Sequence, residues 1–114
     1  MNVEFYVEDE FWAQAKHLSK KYRSLKSDLK TFRESRQKDP FQGSSLGKGI
    51  KKVRMAIASK GKGKSGGTRV ITYSIQQVAD TIQIDLLTIY DKGEIANVSD
   101  AFIEYLLDKR ENLK

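Results

Sequence analysis

The sequence predicts an α+β domain: an N-terminal strand, a helical hairpin, a three-stranded antiparallel meander and a C-terminal helix, with the helices on one face of the sheet. Three observations carry this. Apolar residues alternate with polar ones at the start of the chain, recur at helical spacing over the next thirty or so positions, and alternate again in three later runs. With 114 residues the chain fits a single domain spanning 1–114. A domain of this size buries roughly 65 per cent of its unfolded surface, enough for an ordinary apolar core without staples.

Val3, Phe5 and Val7 alternate with Asn2, Glu4 and Tyr6, the pattern of a half-buried strand. Phe11, Ala15, Leu18 and Tyr22 then follow helical spacing, and Leu25, Leu29 and Phe32 repeat it. Ser24 stands between the two runs as a helix cap, with Asp28 in the following turn, and Pro40 closes the second helix. The turn-rich run DPFQGSSLGKG reads as an irregular connector. In Lys51–Ala58, Val53, Met55 and Ile57 share one face and Lys52 and Arg54 the other. A glycine–lysine loop, SKGKGKSGGT, leads to strands over Arg69–Ile75 and Ile82–Tyr90, joined by a polar turn around Gln77–Asp80. Asp100 to about Asn112 forms the closing helix, capped by Ser99, with Val98 placed to pack against Ile103.

Charge is unevenly distributed. The net charge is +6, yet residues 40–79 hold eight basic side chains (Lys48, Lys51, Lys52, Arg54, Lys60, Lys62, Lys64, Arg69) and no acidic one. Residues 80–114 carry four basic and eight acidic side chains. An un-neutralised basic middle third points to a polyanion as partner; a solvated basic face is the plainer alternative. With Val53, Met55 and Ile57 packed against the helices, Lys52 and Arg54 gather on an open sheet face where a nucleic acid can lie.

Several chemistries are excluded. Without cysteine there is no disulfide, thiolate nucleophile or cysteine metal site. His17 is the only histidine, so no Ser/His/Asp set forms and no metal-ligand spacing exists; no metal or cofactor is expected. Gly63-Lys64-Ser65 imitates the end of a Walker A loop, but Ala58 replaces its first glycine and a β-rich run follows where a helix is needed. The chain opens MNVEFYVEDEFW without a signal-peptide run, and no stretch approaches the ~20 apolar residues of a membrane span. The expected compartment is the cytoplasm.

What remains is chemistry that lysine, arginine and tyrosine perform on RNA, which supplies its own 2′-OH nucleophile. The protein then has to align that group, move two protons and stabilise the charged phosphorane. A lysine among other cations can have a lowered pKa and serve as base or acid.

The run Lys51-Lys52-Val53-Arg54-Met55-Ala56, the loop SKGKGKSGGTRVITY and the later LLTIYDKGE resemble the RelE/HigB toxin superfamily, nearer its HigB-like branch. The resemblance spans most of the chain, and KGKGK-x-GG-x-R is its most specific part. It implies a toxin of a type II toxin–antitoxin system: a metal-independent, ribosome-dependent endoribonuclease that cuts mRNA and inhibits translation. It implies a cognate antitoxin, often acidic, covering the basic face or laying an amphipathic helix along the domain. Operator DNA would be met only through that complex. Carried over, Lys52 and Arg54 match the basic side chains of the family's second strand, and Arg69 the arginine opening its third. Tyr90, Asp91 and Lys92 fall at the strand end where the family keeps further catalytic or RNA-contacting groups. RelE-like members have an arginine and then a tyrosine beyond that strand, where Gly93 and Ser99 stand nearest; HigB members use histidines, and none lies here.

The roles expected are these. Arg54 and Arg69 stabilise the phosphate, and Lys92 or Lys52 handles the proton. Tyr90 stacks on a base or acts as acid, and Lys48, Lys51, Lys60, Lys62 and Lys64 bind the RNA backbone. The plainer reading of Tyr90 is an aromatic packed on the closing helix, and that of Arg54 an ion pair with Glu4 or Asp85. Two other functions remain open: a ParE-like gyrase inhibitor of the same fold, and a non-catalytic nucleic-acid-binding module.

Overall fold

The computed structural model describes residues 2–60, 67–78 and 80–112. The elements are β1 (Asn2–Val7), α1 (Asp9–Lys21), α2 (Leu25–Lys38), β2 (Ser44–Gly47), β3 (Ile50–Met55), a 3-10 turn (Ala58–Lys60), β4 (Thr68–Val78), β5 (Thr81–Asp91) and α3 (Asp100–Asn112). The α+β class and the order strand, hairpin, meander, helix hold. The sheet has five strands in the order β1-β5-β4-β3-β2. The meander β3-β4-β5 is antiparallel, whereas β1 pairs parallel to β5 (Val3↔Ile82, Phe5↔Ile84). The run read as an irregular connector contains β2, a short exposed edge strand on β3.

The expected placement of all helices on one face is corrected. Phe11, Ala15 and Leu18 of α1 and Leu25 and Phe32 of α2 pack on Val53, Met55, Val70, Ile84 and Ile89. On the opposite face, Ile103 and Leu106 of α3 pack on Ile50, Ile71, Leu87 and Tyr90. The reason lies in β4 and β5, whose runs Val70-Ile71 and Leu86-Leu87 offer apolar side chains to both sides, so both faces must be covered. Every residue from Ile82 to Asp91 is buried. Complete burial of a side chain such as Leu18 stabilises by roughly 1.5–3 kcal/mol, and truncating it to alanine costs about 2–5 kcal/mol.

A β-bulge sets the faces of β5. Ile71 pairs with Thr88 and Thr72 with Leu86, leaving Leu87 as the extra residue. Strict alternation would put Tyr90 on the same face as Leu86. The bulge instead brings Ile89 to the hairpin side and turns Tyr90 to the α3 side.

The local end signals are partly as expected. Ser99 caps α3, its Oγ accepting from Phe102 N at 3.1 Å, and Val98 packs in the same cluster as Ile103. Ser24 does not cap α2. Its hydroxyl donates to Asp28 Oδ2 at 2.7 Å and accepts from Ser59 N at 2.9 Å, while Ala58 N donates to the Asp28 carboxylate. These two residues therefore hold the start of the loop that follows β3.

Candidate nucleic-acid interface

On the α3 face, the register places Arg54 directly opposite Arg69, and Arg69 opposite Tyr90. Three strands thus contribute one row, and Lys52, two residues before Arg54, shares its face. Two guanidinium side chains stand on neighbouring strands of this face, one exposed and one buried. Arg54 is exposed, and no ion pair among the described residues engages it. Glu4 and Asp85 do not pair with it; Asp85 is bound to the Arg110 guanidinium and to Gln83 Nε2 at 2.7 Å. Arg69 is nearly enclosed, at 6% exposure, and its Nη1 donates to the Thr68 carbonyl at 3.2 Å.

Asn97, in the connector before α3, joins this group. Its Oδ1 accepts from the Tyr90 hydroxyl at 3.2 Å and from Lys52 Nζ at 3.4 Å. The sequence gives little sign of it beyond a polar residue in a loop between a strand and a helix. Burial pushes the Tyr90 phenol above its ordinary value, with Arg69 opposing, so the group stays protonated and serves as a donor near neutrality. Its ring belongs to the second core with Ile103 and Leu106. That confirms the packing reading and leaves no open ring face for a base, correcting the stacking role.

The remaining candidates are dispersed. Lys92 is exposed on the turn after β5. Lys48 lies in the β2–β3 turn with φ 55°, between Gly47 and Gly49 at φ 91° and 82°. It is about 20 Å along β3 from Arg54 at ~3.3 Å per residue. Lys51 points to the hairpin face, where its Nζ donates to the Phe41 carbonyl and sits 5.4 Å from the Phe41 ring centre. Lys60 is an ion-pair partner, not a free cation: its Nζ lies 2.8 Å from Asp91 Oδ1. Lys62 and Lys64 lie outside the described residues.

Asp91 likewise does not face the arginine row. It is buried on the hairpin side, accepting from Lys60, Lys21, the Tyr22 hydroxyl and Gly93 N. Burial alone would raise its pKa, but those donors outweigh it and hold the carboxyl well below the usual carboxylate range. The other foot of the loop is equally fixed. Thr68 Oγ1 donates to the Met55 carbonyl, and a Cβ on Gly67 would collide with that same oxygen.

His17 is exposed and 3.3 Å from Glu94 Oε2. No helix among the described residues is long and apolar enough to cross a membrane. No protein-family model matches the chain.

Proposed function

We propose that this protein is a RelE/HigB-like toxin of a type II toxin–antitoxin system, acting in the cytoplasm as a metal-independent, ribosome-dependent mRNA endoribonuclease. The observation that carries the reading is the cross-strand pair Arg54–Arg69 beside Lys52 and Tyr90. The exposed Arg54, with no ion pair among the described residues, presents a planar donor fork that suits a phosphate.

In this reading Arg54 presents its planar fork to the scissile phosphate, and Arg69 adds a fixed positive field from within the sheet, where lower dielectric strengthens it. The RNA 2′-OH attacks the adjacent phosphorus, forming the 2′-O–P bond as the P–O5′ bond breaks. Lys52 takes the 2′-OH proton, and the Tyr90 phenol, kept protonated by burial, gives one to the leaving 5′-oxygen. The products are a 2′,3′-cyclic phosphate and a free 5′-OH, with no external co-reactant. A cognate antitoxin restrains the activity, and operator DNA is met through that complex.

The test is direct. Purified protein is added to translating ribosomes and mRNA ends are mapped by primer extension, with gyrase supercoiling assayed in parallel. Cleavage of ribosome-bound mRNA that is lost in Arg54→Ala and Arg69→Ala, with ribosome association retained, supports the reading. Gyrase inhibition without cleavage identifies a ParE-like toxin, and binding without either identifies a passive nucleic-acid-binding module.

A further inference from the structure

The two edges of the sheet are unlike. β2 is four residues long, and a register shift between Ser45 and Gly47 breaks its pairing. A short, irregular edge of that kind discourages the addition of another strand. β1, at the other edge, pairs with β5 in unbroken register, and its sequence NVEFYV has no proline or lysine to blunt it. Tyr6 and Val7 stand 48% and 36% exposed there.

The backbone of β1 alternates in direction. Asn2 N donates to the Asp80 carbonyl at 2.6 Å, and Glu8 N to the Leu86 carbonyl at 3.1 Å. Even-numbered residues therefore turn their peptide groups to β5, and the N–H and C=O of Val3, Phe5 and Val7 point outward, where the sheet ends. The same alternation sets the Val3 and Phe5 side chains against the hairpin core, and Glu4 and Tyr6 on the opposite face.

An antiparallel second copy of this edge fits it in one register. Phe5 then lies opposite Phe5 of the second copy, on the two-fold axis, with Val3 opposite Val7. Each of these pairs exchanges two N–H···O=C bonds. On the other face Glu4 meets Tyr6, a carboxylate beside a phenol. The neighbouring two-fold registers set Glu4 opposite Glu4 or opposite Glu8, like charges that oppose pairing. A one-residue slip matches outward groups with inward ones. A strand of unrelated sequence gains the backbone bonds but not these side-chain pairs, so a second copy is the fitting occupant.

We propose that two copies of this chain join through antiparallel pairing of their β1 edges, making one sheet of ten strands, five from each copy. The two-fold axis stands perpendicular to the sheet, so both arginine rows share one face. The pairing does not depend on the RNA-cleavage reading.

The test is sedimentation velocity of the full chain over a concentration series, with residue-resolved amide exchange at both ends of the series. A dimer should form as concentration rises. In it the Val3, Phe5 and Val7 amides should exchange more slowly, with those of Glu4 and Tyr6 unchanged. Tyr6→Glu sets like charges opposite one another twice in the dimer and should weaken association by roughly tenfold. Glu4→Lys/Tyr6→Glu should restore it through cross-strand ion pairs. Both positions are exposed, and circular dichroism checks that the fold is kept. A chain that stays monomeric throughout overturns the proposal. So does a dimer that leaves the three amides unprotected, or a folded double variant no better than Tyr6→Glu. Protection of those amides only on adding an unrelated extended peptide assigns the edge to another chain's strand and overturns it too. Arg54→Ala should leave association unchanged, so the dimer and the cleavage site stand or fail separately.

Discussion

Lys60 and Asp91 meet at 2.8 Å between the foot of the glycine–lysine loop and the end of β5, thirty-one residues apart in the chain. The Tyr22 hydroxyl, Lys21 Nζ at 3.4 Å and Gly93 N also donate to the carboxylate, which ties Lys60 to both the sheet and the end of α1. A residue rich in apparent RNA-binding character thus serves as an anchor.

Asp91→Asn should destabilise the protein by about 3–5 kcal/mol, because it leaves the Lys60 ammonium without its buried partner. The pH dependence follows from the depressed pKa of Asp91. Its stabilising contribution is fully present above the unfolded value near 4 and is lost as pH falls toward the lower folded one. Urea melts from pH 7 to 3 should show a fall in stability that is shallower in the variant.

Arg54→Ala should separate function from stability. Arg54 is exposed and makes no ion pair among the described residues, so its removal should change stability by less than about 0.5 kcal/mol while weakening RNA binding. If Arg54 meets one phosphate, the dependence of log affinity on log salt should shallow by about 0.7 for single-stranded RNA. Thermal melts and binding to a short RNA at several salt concentrations measure both.

Asn97→Ala should lower RNA cleavage by about tenfold, near 1.4 kcal/mol of barrier, with little change in melting temperature, since the residue is exposed and holds Tyr90 and Lys52 in place. Tyr90→Phe keeps the ring in its core and removes only the donor. Its cleavage loss should match or exceed that of Asn97→Ala. Loss of fold in either variant, read by circular dichroism, would reassign the group to structure.

Arg110→Ala should cost about 3–5 kcal/mol by stranding Asp85 in the interior. Because Arg110 is near the end of α3 and also stacks on Tyr73 at 5.1 Å, the loss should appear as early exposure of that helix in hydrogen exchange.

The sequence by itself determined the elements and the chemistry available to them. Alternation and helical spacing are local properties, so the first strand, the hairpin, the meander and the Ser99-capped helix were all legible, as was the placement of Lys52 and Arg54 on the face opposite Val53 and Met55, though α3 covers the face expected to be open. The tertiary structure alone decided which charges stand together. Pairing register set Arg54 against Arg69, and the bulge at Leu87 turned Tyr90 toward them and not into the hairpin core. Long-range contacts took Lys60 and Asp91 out of the basic surface and brought Asn97 into it. Side-chain periodicity fixes a face within one strand, but which face meets which helix depends on pairings between segments far apart in the chain, and no local pattern encodes those.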